Sequence, residues 1–294
     1  MRRVLGAGAV GLTGALLAGC GVPQGTDGKL VDDWAAPPAA VMWSPKAGDC
    51  LITSGDTIPL AVYRPVPCTK DHLAETVSVS AFTGAMAQRD TVPAEGSPER
   101  RAAYADCVTK TTEFLGDDYR AGALDLRVGL PSGAAWSGGA RWYRCDLVEI
   151  KDDENATEVR RTSSLKGGLA AGGPLRRDCF TITEKADKKH VDTALVACTA
   201  SHNGEYAGLY LAPDVPAPDD AAAEKMSDNC DTVVAKYAGL PNDRNLSFRV
   251  GLVWYWWGEK EWNRGNRAFH CTMWMEKSAS KLMKGAGPSA FPVT

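Results

Sequence analysis

The sequence predicts an α+β protein built from two tandem, disulfide-stapled modules, each mostly antiparallel strands with one packed helix. Three observations predict it. Four cysteines between Gly48 and Cys145 recur in the same surroundings between Arg177 and Cys271. Short runs of strand type flank one capped helical stretch, and the whole order of elements is met twice.

Residue by residue, the first copy has Gly48-Asp49-Cys50, Val66-Pro67-Cys68 with His72 and Glu75, Cys107, then Trp136, Gly139, Arg141 and Cys145. The second has Arg177-Asp178-Cys179, Val196-Ala197-Cys198 with His202 and Glu205, Cys230, then Trp262, Gly265, Arg267 and Cys271. Leu-Asp-Leu-Arg-Val-Gly-Leu at 124–130 answers Leu-Ser-Phe-Arg-Val-Gly-Leu at 246–252.

The chain opens with Met1-Arg2-Arg3, an apolar stretch from Val4 to Leu17, and Leu17-Ala18-Gly19-Cys20. This is the form of a secretory signal over 1–19, and its ending resembles a bacterial lipobox. The resemblance implies cleavage before Cys20, diacylglycerol on its sulfur, and residence at the extracytoplasmic face of the plasma membrane. An ordinary signal ending in cysteine is the plainer alternative. A membrane span is disfavoured because the run falls short of about 20 residues. Each buried acyl methylene contributes about 0.8 kcal/mol, so two chains hold stably. Residues 20–40, rich in Gly, Pro, Asp and Ala, read as a flexible tether.

The first module is expected over 41–150. Leu60–Val66 is strand-like, with Pro65 and Pro67 pointing to an edge. Glu75–Phe82 alternates as a strand. Ser97-Pro98-Glu99 starts a helix that carries Ala103, Cys107, Thr111 and Phe114 and stops at Gly116. Strands at 124–130 and 141–150 close the module. A linker at 151–173, charged and then Gly-rich, is expected to bury too little apolar surface to order. The second module, 174–276, repeats the plan. Its helix starts at Pro218-Asp219-Asp220, carries Met226, Cys230, Val233, Val234 and Tyr237, and stops at Gly239; its closing strands are 246–253 and 267–275. The tail 277–294 is expected to begin as a short helical extension and then fray.

Beyond Cys20, eight cysteines in an exported chain imply disulfides. Zinc is excluded because structural sites need cysteine pairs two to four residues apart. Four cysteines per module allow three pairings. Near-constant first spacing, and a helix cysteine matched to a last-strand cysteine, favour Cys50–Cys68, Cys107–Cys145, Cys179–Cys198 and Cys230–Cys271. Without Arg2 and Arg3 the chain has 31 Lys and Arg against 36 Asp and Glu. This acidic balance speaks against nucleic acid as a partner. Abundant Ala, Gly, Arg and Asp suggest a high-GC, actinobacterial genome.

Both copies keep a His/Glu pair, His72 with Glu75 and His202 with Glu205. Such pairs serve as general bases or ligands, or satisfy backbone groups beside a disulfide. A catalytic zinc would need a third ligand, His190 and His270 have no counterparts in the first module, and there is no Gly-x-Ser-x-Gly. The structural role is favoured, with no catalytic residue, metal or cofactor assigned. Arg127 and Arg249, amid apolar neighbours, are expected to pair with Glu75 and Glu205, with Arg141 and Arg267 as alternatives. Trp136 and Trp262 are expected to pack over the last strand. The second copy alone has Trp254-Tyr255-Trp256-Trp257. These rings either stack on sugars or a partner protein or fill the core on alternate positions, and the sequence leaves both open.

Taken together, Gly48-Asp49-Cys50, Val66-Pro67-Cys68 with His72 and Glu75, a helical Cys107, and Trp136-x-x-Gly139 before Cys145 resemble the septum-formation domain of actinobacterial membrane proteins and lipoproteins. The second copy departs with Arg177 for the glycine and Ala197 for the proline. The resemblance implies a link to division or envelope assembly and carries no catalytic residues. The expectation is a non-enzymatic, lipid-anchored envelope protein binding an envelope or divisome protein or peptidoglycan. The alternative is an extracytoplasmic hydrolase or glycan binder using the His/Glu pairs or the Trp-rich loop.

Overall fold

Short alternating runs pair into two sheets of identical order. In the computed structural model, which describes residues 42–151, 157–186 and 191–293, the first sheet has strands β1 (Cys50–Leu51), β2 (Pro65–Val66), β3 (Ala74–Ala81), β4 (Leu124–Gly129) and β5 (Trp142–Glu149). They lie in the order β2-β1-β3-β5-β4. The second has β6 (Cys179–Glu184), β7 (Val191–Val196), β8 (His202–Leu211), β9 (Gly251–Trp256) and β10 (Ala268–Ala279), ordered β7-β6-β8-β10-β9. All pairings are antiparallel, and both central pairs carry a bulge at the same place, opposite Cys145 and Cys271. The leader, Cys20, the tether, residues 152–156 of the linker and His190 lie outside the described residues.

Helix α1 (Pro98–Leu115) follows its signals: Ser97 Oγ accepts the Arg100 amide at 3.3 Å, and Gly116 closes the helix at φ 92°. In the second module the same stretch is two helices, α2 (Asp220–Ser227) and α3 (Cys230–Ala238). The break follows from local competition for the backbone. Ser227 Oγ donates to the Glu224 carbonyl at 2.6 Å, and Asn229 Nδ2 donates to that of Met226 at 2.9 Å. Short helices at Gly133–Ser137 and Gly258–Arg264 precede the last strands. Disulfides join Cys50 to Cys68, Cys107 to Cys145, Cys179 to Cys198 and Cys230 to Cys271, so each helix is tied to its module's last strand.

Two strand expectations are corrected. Leu60–Val62 is a 3-10 turn and only Pro65–Val66 pairs, as prolines lacking an N–H cannot hold a longer ladder. Leu246–Phe248 is likewise a 3-10 turn, and β9 begins only at Gly251. In consequence the shared Leu-x-(Leu/Phe)-Arg-Val-Gly-Leu motif is out of register. Arg127 lies opposite Asp146 in β5, whereas Val253, not Arg249, lies opposite the equivalent Thr272 in β10.

The linker and tail also differ from expectation, and they differ in the same way. From Ser164 onward the linker packs on the C-terminus of α1. Gly167 N–H donates to the Phe114 carbonyl at 2.9 Å and Leu169 N–H to that of Leu115 at 3.0 Å. In the second module Gly285 N–H donates to the Tyr237 carbonyl at 2.8 Å and Gly287 N–H to that of Ala238 at 2.9 Å. Gly167 and Gly285 share a left-handed φ of 69° and 71°. Helix ends leave carbonyls unsatisfied, and each strap satisfies them. Leu165 and Leu169 are fully buried in the first core, and Phe291 is buried in the second. The tail forms no helix: β10 runs on to Ala279 and the chain then folds back.

Residues 42–294 form one compact unit. Tyr206, Leu209 and Phe180 of the second module pack into the first module's core. Arg176 bridges Asp117 and Asp178, both at 2.8 Å, while Arg264 reaches Glu95 at 3.0 Å and Asp56 at 3.3 Å. Arg120 holds Asp118 through two bonds and donates to Asn266 Oδ1 at 3.0 Å.

Candidate functional site

The two His/Glu pairs lie at the β1–β3 and β6–β8 junctions, where the bulged strands turn toward the disulfides. His72, Glu75, His202 and Glu205 are all buried. Glu205 accepts His202 Nε2 and the Tyr237 hydroxyl at 2.9 and 2.7 Å, and its two oxygens take the Met283 amide at 2.9 and 3.0 Å. Burial, and then Glu205 itself, holds the Tyr237 hydroxyl well above the ordinary range, so the phenol stays a donor. Glu75 accepts the Leu165 amide at 2.7 Å and the Ser164 hydroxyl at 2.6 Å. Each carboxylate thus fastens its module's strap at the equivalent residue, Leu165 or Met283. Cys50, Cys68 and Glu75, and Cys179, His202 and Glu205, bring possible ligand atoms within 4.8 Å of one another. Their sulfurs are committed to disulfides and offer no thiolate to a metal.

The expected arginine pairings are corrected by the same geometry, because the straps occupy both glutamates. Arg127 instead pairs with Asp125 at 3.0 Å and Glu158 at 2.7 Å. Arg249 donates to the Phe291 carbonyl at 2.6 Å, across the slipped register. Arg141 donates to the Ala87, Trp136 and Ala140 carbonyls, and Arg267 pairs with Asp214. Trp136 and Trp262 are buried, each donating its indole N–H to a loop carbonyl at 2.8 Å, Arg89 and Val215 respectively. Arg141 and Arg267 lie over these rings.

The aromatic run divides by strand alternation. Trp254 packs on Phe269 at 5.8 Å, and Trp256 meets Trp262 edge-on at 5.6 Å. Those two rings fill the second core, although Trp256 also borders the cleft described next. Tyr255 and Trp257 face the other way. Tyr255 stacks on His270 at 4.6 Å, Tyr206 flanks the same imidazole at 4.5 Å, and Trp257 meets Tyr255 edge-on at 5.0 Å. Burial, assisted by the charge of Arg177, pushes the His270 pKa down to about 3, so the ring is neutral.

This face opens on a cleft of about 630 Å³ between the modules. The second module contributes Arg177, Phe180, Leu195, Tyr255 and Trp257, while Arg120 comes from the first and Lys151 from the start of the linker. Beyond Trp257 lies a second cleft of about 410 Å³ whose lining mixes signs: Asp56, Asp125 and Glu261 with Arg127, Lys260 and Arg264.

The first module has closed the equivalent face. Arg144 stands where the second has His270 and is buried against Asp146 at 2.5 Å, with Gly129 opposite it in place of Tyr255. A Cβ on Gly129 would fall 2.6 Å from that guanidinium. Of the residues singled out in the sequence, the structure brings Trp257 to the cleft, sends Trp254 to the core, and seals His72, Glu75, His202 and Glu205 inside. His270, Arg177 and Lys151 were not singled out as site residues, and Tyr255 was read only as one ring of the aromatic run. The signals were present, in the alternation within Trp254–Trp257 and in the exchange of Arg144 for His270 one residue before the last cysteine.

No curated protein and no solved structure matches the chain. A family model described as Septum formation matches residues 47–271, from the approach to β1 to Cys271 in β10. With more than half of its length matched, the chain belongs to the septum formation family.

Proposed function

We propose that this is a non-enzymatic protein of the cell envelope, lipid-anchored through Cys20 at the extracytoplasmic face, that binds a component of the division or envelope-assembly machinery through the inter-module cleft. The observation that carries the reading is the cleft itself: half-buried aromatic side chains and the exposed Leu195, bordered by cations, on the one sheet face that the first module has closed. Pockets of this kind, mostly apolar with a few placed polar groups, are the usual form of a binding site. The hydrolase alternative draws no support from the His/Glu pairs, which are buried and whose glutamates are bonded to the straps. Among the described residues no helix is long and apolar enough to cross a membrane; attachment in this reading is by lipid at Cys20.

Time-lapse imaging tests it, using a fluorescent protein that matures outside the cytoplasm, fused after Thr294. Enrichment at new septa that is lost in both Cys20→Ala and Trp257→Ala is the expected result. Uniform envelope labelling in the parent chain would remove the division assignment, and septal labelling indifferent to Trp257 would remove the cleft.

A further inference from the structure

We propose that Met42, Trp43, Leu60 and Val62 form a surface that seats the first module on the lipid bilayer, with these side chains in the headgroup region. The inference goes beyond the cleft and rests on the proposed lipid anchor at Cys20.

Three observations lead to it. First, large apolar side chains stand exposed together. Met42, Trp43, Leu60 and Val62 are 47%, 37%, 59% and 46% exposed. Scattered exposed apolar residues are ordinary, whereas a group of them marks a contact surface. Tyr63 links these four. Trp43 meets its ring edge-on at 4.8 Å, and Leu60–Val62 is the 3-10 turn that runs directly into it, with no residue of the turn buried. The turn cannot fold inward, because Ile58 and Tyr63 on either side of it are fixed in a core cluster. The amides of Val62 and Tyr63 also donate to the Pro59 carbonyl, at 2.9 and 3.1 Å. Trp142 braces Trp43 as well, edge-on at 5.8 Å.

Second, the composition suits a membrane interface. From Met42 to Gly48 and from Thr57 to Pro67 the sequence has no Asp or Glu, and its charges are Lys46 and Arg64, both exposed. The bordering acids, Asp49 and Asp56, are half-buried and engaged, accepting the Tyr63 hydroxyl at 2.8 Å and the Arg100 guanidinium at 3.1 Å. Apolar and basic side chains together bind the boundary of headgroups and acyl chains, where Trp is a favoured ring. Third, the surface lies where an anchor would deliver it. Only residues 21–41 separate Cys20 from Met42, and a chain of that length spans at most about 75 Å. Tethering raises the local concentration of a surface too small to bind by itself. The repeat supplies a control. Counted from the matching cysteines, Gly172 stands in the second module for Trp43, and Asp192 for Val62. Only the copy next to the anchor carries these side chains.

The full-length lipidated chain would be reconstituted in phosphatidylcholine–phosphatidylglycerol vesicles, with and without brominated acyl chains, which quench only rings that reach the bilayer. Parent fluorescence is expected to be quenched. Trp43→Phe should remove at least half of that quenching, whereas Trp34→Phe, upstream of the folded unit, should leave most of it. Leu60→Ser with Val62→Ser should lower it at least two-fold at an unchanged denaturation midpoint. No quenching in the parent chain, or quenching that follows Trp34 and not Trp43, would overturn the seat. Trp43 shielded from bromine and from aqueous iodide alike would give the surface to the tether or to a second copy, and would overturn it too. Cys20→Ala, fractionated from cells, reads the anchor separately. Its release to the soluble phase, beside an unquenched Trp43 in the parent chain, would remove the seat and leave the lipid. Retention on membranes would remove the lipid, and the seat would then stand only if Trp43 of that variant were still quenched.

Discussion

Both oxygens of Glu205 accept the backbone N–H of Met283, at 2.9 and 3.0 Å. A buried carboxylate on a central strand thereby fixes a segment almost eighty residues downstream, and Glu75 does the same for Leu165. This fastening explains the two retained glutamates; His202 joins it through Nε2, whereas His72 Nε2 is buried without a hydrogen-bond partner among the described residues.

Glu205→Gln keeps the volume but alters the lone pairs facing Met283, Tyr237 and His202. Leaving one buried partner unmatched costs about 1–3 kcal/mol, so a stability loss in that range is expected. The informative readout is amide exchange. Gly285 and Gly287 should exchange faster while Gly167 and Leu169 keep their protection, and Glu75→Gln should reverse the pattern. Equal acceleration in both straps would show that the carboxylate does not act locally.

Opening the Cys107–Cys145 disulfide should be the more costly of the two in the first module. Its sequence separation is 38 against 18 for Cys50–Cys68, which loop closure converts to about 4 and about 3 kcal/mol. Paired alanine variants compared by chemical denaturation would measure the order, and the inverse order would point to packing rather than chain entropy.

His270 gives stability a definite dependence on pH. The folded ring accepts a proton only near pH 3, whereas the unfolded imidazole does so near 6.5. Between those values the unfolded state binds more protons. The contribution of the neutral ring is complete above pH 6.5, declines by about 1.4 kcal/mol per pH unit as pH falls, and is spent near pH 3. Raised carboxylates such as Asp146 and Glu261, shifted up by burial, oppose this trend. The comparison is therefore between the parent chain and His270→Phe, which keeps a ring between Tyr206 and Tyr255. Denaturation at pH 7 and pH 5 should show a smaller loss in the variant, and an equal loss would dismiss the imidazole as the source.

Gly129→Ala tests why only one module has an open aromatic face. The added methyl group would meet the buried Arg144 guanidinium at 2.6 Å, and crowding of a packed interior costs about 1–3 kcal/mol. Gly251→Ala, whose nearest contact is an ordinary 3.4 Å to Trp274, is the matched control. Calorimetric melting of the two variants should separate them, and similar transitions would mean that Arg144 simply moves aside.

What could be read in advance divides along physical lines. Helix α1 was legible because Ser97, Pro98 and Gly116 act through neighbouring backbone groups. The cysteine framework was legible because it repeats. The straps were not, since Lys166-Gly167 and Lys284-Gly285 look open in composition and become ordered only by meeting a helix end. The four-residue slip of Arg249 was hidden because register is set across the ladder, by β10, and not along the motif. The cleft was half legible: the aromatic run was visible, but which rings face outward waited on that register.

Duplication ordinarily yields two editions of one site. Here the cleft draws Arg120 from the first module, Lys151 from the linker, and Tyr255, Trp257 and Arg177 from the second module, so neither module holds it alone. It exists only at the junction, where the second module lies against the first. A single-domain relative would share the framework and the strap and still lack the whole of this surface.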